Sequence, residues 1–304
     1  KTGIAPKSLY KYYDTEGVPL EFINFGKYKA SQKQELALKK ASFFEFNPFD
    51  DDGNLLTSLI NPSDEIYNQL HDNPPQKIFG KFECNRKTRF LVPILKEIED
   101  FDYQDPKDPI NKIFSFDLAE RVGNVIARGA DELHFPIATK IGDVETNKAW
   151  KITALKAKNV GKITADARIV EFPLAVNVDG LELDGVVDLN FPSLFNILIE
   201  GIYAPNAKSL NFPLLESAGR GIYARRANSA NFPLLSRVNG EIKLTNCVKI
   251  DIPFLKYAKN IEVLAAESVN FPSLKETREL KATLCKYLNF WKKSLELRFP
   301  NLQL

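Results

Sequence analysis

Gly201-Ile202-Tyr203-Ala204 returns twenty positions later as Gly221-Ile222-Tyr223-Ala224. Arg220, Arg225 and Arg226 crowd the second copy, and Lys243 stands another twenty positions beyond Tyr223. If the chain coils with that period, Tyr203 and Tyr223 become neighbours about 4.8 Å apart on an outward strand face, with Lys243 next in the column. Tyrosine and arginine bind rather than make bonds in such a setting. Their flat rings and forked guanidinium groups are the types enriched where proteins hold partners. The other reading of the tyrosines is an exposed cross-strand pair that only stabilises its sheet. Nucleic-acid bases could stack on them too. Glu182 and Glu262 fall in the same column, however, and oppose a long phosphate track.

Bond-making chemistry has little to work with. There are two histidines, His71 and His134, and neither has a serine or cysteine nearby in a nucleophile motif. His134 occupies a slot that holds Asn or Asp elsewhere in the chain. Zinc-type His/Cys spacing, HExxH and a Gly-rich phosphate loop are missing. Asp50-Asp51-Asp52-Gly53 invites a calcium reading. Counted from Asp50, however, the glycine comes too early for an EF-hand, and Asn61 stands where that loop needs an acid. A solvated turn is the expectation there. No catalytic residue, metal or cofactor is expected, although 39 acidic residues leave a carboxylate-only site open.

The element that must position the tyrosines is a repeat. Asn190-Phe191-Pro192 is followed by Asn211-Phe212-Pro213, Asn231-Phe232-Pro233, Asp251-Ile252-Pro253 and Asn270-Phe271-Pro272, with prolines 21, 20, 20 and 19 residues apart. Such a period marks a solenoid. Eleven residues before each proline sits an aliphatic residue (Leu181, Ile202, Ile222, Ile242, Ile261), and two positions later another apolar one. That alternation predicts a short strand with one buried face. A small or β-branched residue follows where the chain must turn: Val186, Ala207, Ala227, Cys247, Ala266. Proline cannot donate to a ladder and marks the corner where pairing stops. The template also fits around His134-Phe135-Pro136, around Leu155 in the proline slot, around Phe172-Pro173 with one residue missing, and around Phe290-Trp291. The expectation is about nine coils.

This pattern, Leu/Ile-x-Leu/Ala-x-x-Ala/Cys-x-x-Leu followed by Phe-Pro-x-Leu, resembles leucine-rich repeats over residues 120–304. It looks closest to the degenerate repeats of bacterial surface proteins and receptor L-domain-like proteins. The resemblance implies a repeat fold and says little of function. The position of the buried asparagine ladder holds Ala207, Ala227, Cys247 and Ala266 here, so a ladder of buried amides is not expected. A curved horseshoe and a straighter β-solenoid both remain open.

Residues 1–118 carry no such repeat. Their dense aromatics, a helix over 32–40, a second over Ser63–Leu70, a strand running into helix over 90–98 and a Pro106/Pro109 linker suggest an α+β N-terminal domain. Residues 112–121 read as a lead-in helix capping the solenoid of 119–304, which has its own C-terminal cap. The chain has 304 residues, 44% hydrophobic and 26% charged, with a net charge of +2 that calls for no polyanionic partner. No apolar run reaches membrane-spanning length, and the first residues lack the apolar core of a signal peptide. Cys84, Cys247 and Cys285 are too few and too scattered for a disulfide framework. A cytoplasmic protein is therefore expected, with export after removal of a signal peptide left open. Lys-, Asn- and Phe-rich usage suggests a bacterial or phage source. The sum is a non-enzymatic protein-binding scaffold whose partner is another protein, with no membrane role and nucleic acid disfavoured. The alternatives are an enzyme with its site in the N-terminal domain and a carbohydrate-binding surface protein.

Overall fold

The computed structural model describes residues 52–290 apart from 57, 61, 63, 85–88 and 104–111, together with a short antiparallel pair, Tyr12–Tyr13 against Pro19–Leu20. The helix expected over 32–40, the Pro106/Pro109 linker, Asp50 and Asp51, and the C-terminal cap lie outside the described residues.

From Leu55 onward the chain winds as a parallel β-solenoid of about eleven turns with a period of about 19 residues. The strand Arg237–Thr245 and the segment that ends at Leu255 show the plan of one turn. Arg237 and Val238 lie on a first face. The chain bends at Asn239-Gly240, and residues 241–245 form a second face. A corner at Asn246 leads to the third face, Lys249–Asp251. Ile252-Pro253-Phe254-Leu255 then closes the turn, with the Leu255 N–H donating to the Ile252 carbonyl at 3.3 Å. Every ladder between successive turns is parallel, so backbone groups are satisfied along the axis and alternate side chains point inward.

Each corner has its own chemistry. At the first, the backbones of adjacent turns crowd: a Cβ on Gly240 would sit 1.0 Å from the Arg220 carbonyl oxygen, and one on Gly123 1.4 Å from that of Glu99. Only glycine fits there. At the second, a left-handed residue recurs in Lys148, Arg226, Asn246, Ala265 and Leu284, with φ between 55° and 64°. The small residue after each one (Ala149, Ala227, Cys247, Ala266, Cys285) faces into the narrow corner. At the third, Phe-Pro-x-Leu is a β-turn with proline at its second position, where its fixed φ is already correct. The phenylalanines stack inside, Phe172 on Phe191 at 5.4 Å and Phe212 on Phe232 at 5.5 Å between ring centroids.

The one-residue deficit near Phe172-Pro173 has a structural counterpart. Lys148 is an extra residue in its turn, taken up as a bulge opposite Asp166/Ala167. Leu155 takes the proline slot, as expected, and follows Ala154, which pairs with Phe135.

The solenoid is longer than nine coils. The stretches Lys77–Cys84 and Glu97–Tyr103 pair with each other, the second also pairs with Arg121–Ala127, and Leu55 and Leu59 bridge to Ile78 and Phe82. These turns lack the Phe-Pro signature. A helix at Asp64–Asp72 and a 3₁₀ helix at Arg89–Ile94 also break their spacing, which hides them from a periodicity search. The described residues between 52 and 118 thus continue the solenoid, and an α+β domain is not what they form. Residues 112–121 are no lead-in helix: Ile113–Ser115 is a third-face strand paired with Glu132–Phe135, and Phe116 to Ala119 is the usual corner turn. One core of stacked aliphatic and aromatic side chains runs from Leu55 to Leu280.

Amide ladders exist, but outside the core. Asn231 donates to Asn211 at 2.9 Å, and Asn270 donates to Asp251 at 2.7 Å on the third face. Asn177 and Asn196 continue a second ladder on the first face.

Candidate binding face

One outward column of the second face carries the candidate residues. Its register runs Glu182, Tyr203, Tyr223, Lys243, Glu262, Lys281, each directly beside the next. Inward neighbours Ile202, Ala204, Ile222 and Ala224 are buried, which fixes the tyrosines outward by strand alternation. The two rings stack at 4.9 Å between centroids and 12° between planes, and Tyr203 keeps 40% of its surface exposed.

The charged members of the column are spoken for. Lys162 binds Glu182 at 2.7 Å and Glu200 at 3.2 Å, and Arg220 reaches Glu200 at 3.5 Å. Lys243 binds Glu262 at 3.0 Å. These carboxylates raise the ammonium pKa of Lys162 and Lys243 above the ordinary lysine value, chiefly through hydrogen bonds to Glu182 and Glu262 respectively. Partial burial, followed by the nearby charge of Asp184, raises the Tyr203 phenol. At neutral pH Tyr203 is therefore an uncharged ring whose hydroxyl can donate.

Arg225 ends the Tyr223 strand two residues on, pointing to the same side, and Arg226 occupies the left-handed corner. Both are exposed, and among the described residues neither side chain has a hydrogen-bond or ion-pair partner. Of the six candidates, then, Tyr203, Tyr223 and Lys243 share a column, Arg225 and Arg226 flank it with unused donors, and Arg220 lies at the glycine corner, tied to Glu200.

The other residues with chemistry stand elsewhere. His134 sits on the third face, with Nε2 2.7 Å from Glu132 and Nδ1 2.8 Å from the Thr153 hydroxyl. Carboxylate, imidazole and hydroxyl in that order is the arrangement a general base uses. Here it lies on an open strand surface, with Thr153 nearly buried. His71 is exposed at the end of the helix beside Asp72. Among the described residues no cluster of three His, Cys, Asp or Glu could hold a metal ion. Cys247 and Cys285 form no disulfide, and burial raises the Cys247 thiol pKa. No helix of the described residues is long and apolar enough to cross a membrane.

Two features escaped sequence reasoning. One is the carboxylate–lysine–arginine chain of Glu182, Lys162, Glu200 and Arg220, which spans four turns. The other is a shallow cleft at the second corner, where the Arg168 guanidinium lies 4.6 Å above the exposed Trp150 ring, with Lys148 and Lys208 alongside. Aligning turns by their small corner residues, rather than by proline, would have placed Trp150 beside Arg168. No protein-family model, curated protein or solved structure matches this chain.

Proposed function

We propose that the protein is a non-enzymatic binding scaffold whose second face holds another protein. The observation that carries this reading is the stacked, half-exposed Tyr203–Tyr223 pair flanked by Arg225 and Arg226, whose donors meet no partner among the described residues. The rings are held by backbone ladders on both sides, so little freedom is lost when a partner docks. Glu182 and Glu262, being neutralised by lysines, do not repel an acidic partner. The repeat shares its spacing with leucine-rich repeats, and solenoids of that kind work through extended strand surfaces. That likeness supports the reading without naming a partner. A cytoplasmic setting agrees with the absence of a disulfide at Cys247 and Cys285.

The test is an affinity pull-down from host lysate, comparing wild type with Tyr203→Ala/Tyr223→Ala/Arg225→Ala after circular dichroism shows equal folding. The recovered protein is then titrated against both forms once purified. Retention by wild type and loss by the variant supports the face. Equal recovery by both removes it.

A further inference from the structure

The second corner is built in two ways. Lys148 and Arg226 turn it as left-handed residues, at φ 63° and 64°. In the three turns between them the equivalent residues, Asp166, Gly185 and Asn206, have no positive φ, and the strand Asn159–Glu171 runs through the corner unbroken. An open cleft of about 470 Å³ lies over these turns beside Lys148, a size that suits a small molecule. Ala149, Ala167 and Gly185 floor it, so backbone lies close beneath anything that enters. Cations stand around it. Lys148 and Arg168 have no hydrogen-bond or ion-pair partner among the described residues, and Lys208 has Asp188 at 3.6 Å. The Arg168 guanidinium rests on the half-exposed Trp150 ring, 4.6 Å from its centroid. Stacking holds that group by its face and leaves its N–H edge for a two-oxygen acceptor. One carboxylate shares the cleft. Asp166 Oδ1 lies over Gly185, where a Cβ would come within 1.7 Å of it, and Asp166 has no ion-pair partner among the described residues. Asp166 and Arg168 flank the buried Ala167 on one strand, so both point outward, about 6.6 Å apart along the chain.

We infer that this cleft binds a sugar phosphate. The phosphate takes the Arg168 edge with two of its oxygens and the Lys148 ammonium with another. Those two unpaired cations match the charge of a phosphate monoester, roughly −2 at neutral pH. Lys208 adds to the field from the far end of the cleft, tempered by Asp188. A bare anion would leave Asp166 facing only repulsion, so the ligand must carry hydrogen-bond donors as well as phosphate. Asp166, which can only accept, takes ring hydroxyls two residues along the strand from the phosphate. The Trp150 indole N–H, unused among the described residues, is left to donate to a sugar oxygen. The bulge at Lys148 is what aims its ammonium here, since an inserted residue turns the side chain away from the regular column. Neither Tyr203 nor Tyr223 lines this cleft, so the site is separate from the protein-binding face.

Isothermal titration calorimetry of the full chain tests this, with glucose 6-phosphate, ribose 5-phosphate, glucose and inorganic phosphate as separate titrants. At least one sugar phosphate is expected to bind, inorganic phosphate about 10-fold more weakly, and glucose not at all at millimolar concentration. Lys148→Gln/Arg168→Gln, both exposed and so compatible with folding, is expected to lower sugar phosphate affinity about 30-fold or more. Asp166→Asn should bring the sugar phosphate toward the level of inorganic phosphate without weakening inorganic phosphate itself. Gly185→Ala meets only the Asp166 side chain at close range, so it folds, fills the floor and weakens the sugar phosphate. Tyr203→Ala/Tyr223→Ala/Arg225→Ala should leave all these affinities unchanged. Silence from both sugar phosphates overturns the inference, and so does binding indifferent to Lys148→Gln/Arg168→Gln. Equal affinity for sugar phosphate and inorganic phosphate overturns the sugar and reassigns the cleft to a bare oxyanion.

Discussion

The second and third faces are built from the same turns and the same parallel ladders, yet they present different surfaces. Along the third face one column repeats nearly unchanged as Asn211, Asn231, Asp251, Asn270, Asn289, and its amides donate along the axis at three of the four steps. Along the second face the equivalent column changes at nearly every step, from Glu182 through Tyr203 and Tyr223 to Lys243 and Glu262. The lesson is one of satisfaction. A nearly uniform amide column spends donors along the axis and presents much the same group at every turn. A mixed column pairs its charges sideways and leaves aromatic faces, and the arginines at the strand end, turned to solvent.

The largest way to break this comparison acts behind both faces. Phe212→Ala empties a fully buried site in the phenylalanine stack and is expected to cost about 3–5 kcal/mol in urea unfolding. Both surfaces should fail together in that variant. Next comes the test that separates them. Tyr203→Ala/Tyr223→Ala/Arg225→Ala should lower partner affinity by about 2 kcal/mol or more, roughly 30-fold, while stability falls only about 1 kcal/mol, the worth of an aromatic pair. Asn231→Ala, in the amide column of the third face, should cost about 0.5–1 kcal/mol and leave partner affinity unchanged by calorimetry.

A smaller effect sharpens the role of Arg226. Its left-handed φ of 64° is strained for any side chain but glycine, asparagine and aspartate, so Arg226→Gly should raise stability by about 0.5 kcal/mol. If Arg226 belongs to the binding face, the same change weakens the partner; if it only turns the corner, affinity holds. The smallest effect is with pH. Lys162, Lys243 and Tyr203 all have raised folded-state pKa values, so the folded chain holds protons the unfolded chain releases. Their contribution is fully present below about pH 10 and lost as pH rises through the folded values. Solvent screening keeps it to a few tenths of a kcal/mol per ion pair. Thermal unfolding between pH 8 and pH 11 should show this fall, and Lys243→Gln should flatten it.

The tyrosine column was legible because it needed only two things, the period and strand alternation, and both are local. Ile202, Tyr203 and Ala204 set which side faces out, and the twenty-residue return to Tyr223 sets the neighbour. The partners of the charges were not legible. Lys162 reaches Glu200 through a turn that is one residue longer than its successor, and the bulge at Lys148 shifts that neighbourhood again. The upstream turns were hidden for a related reason. The inserted helix Asp64–Asp72 separates Leu59 from Phe82 in sequence but not in the ladder, since an insertion at a corner loops away while the bridge re-forms.

By itself, then, the sequence determined the repeat, the inward and outward residues of each strand and the Phe-Pro corner. These depend on short-range backbone geometry: two-residue strand alternation and the fixed φ of proline. Only the tertiary structure decided how many turns stack, that glycine corners bring neighbouring backbones into contact, and which arginines are left without a carboxylate. Those outcomes depend on register between turns, where one inserted residue moves a side chain to a different neighbour while the hydrogen-bonded ladder beneath it stays closed.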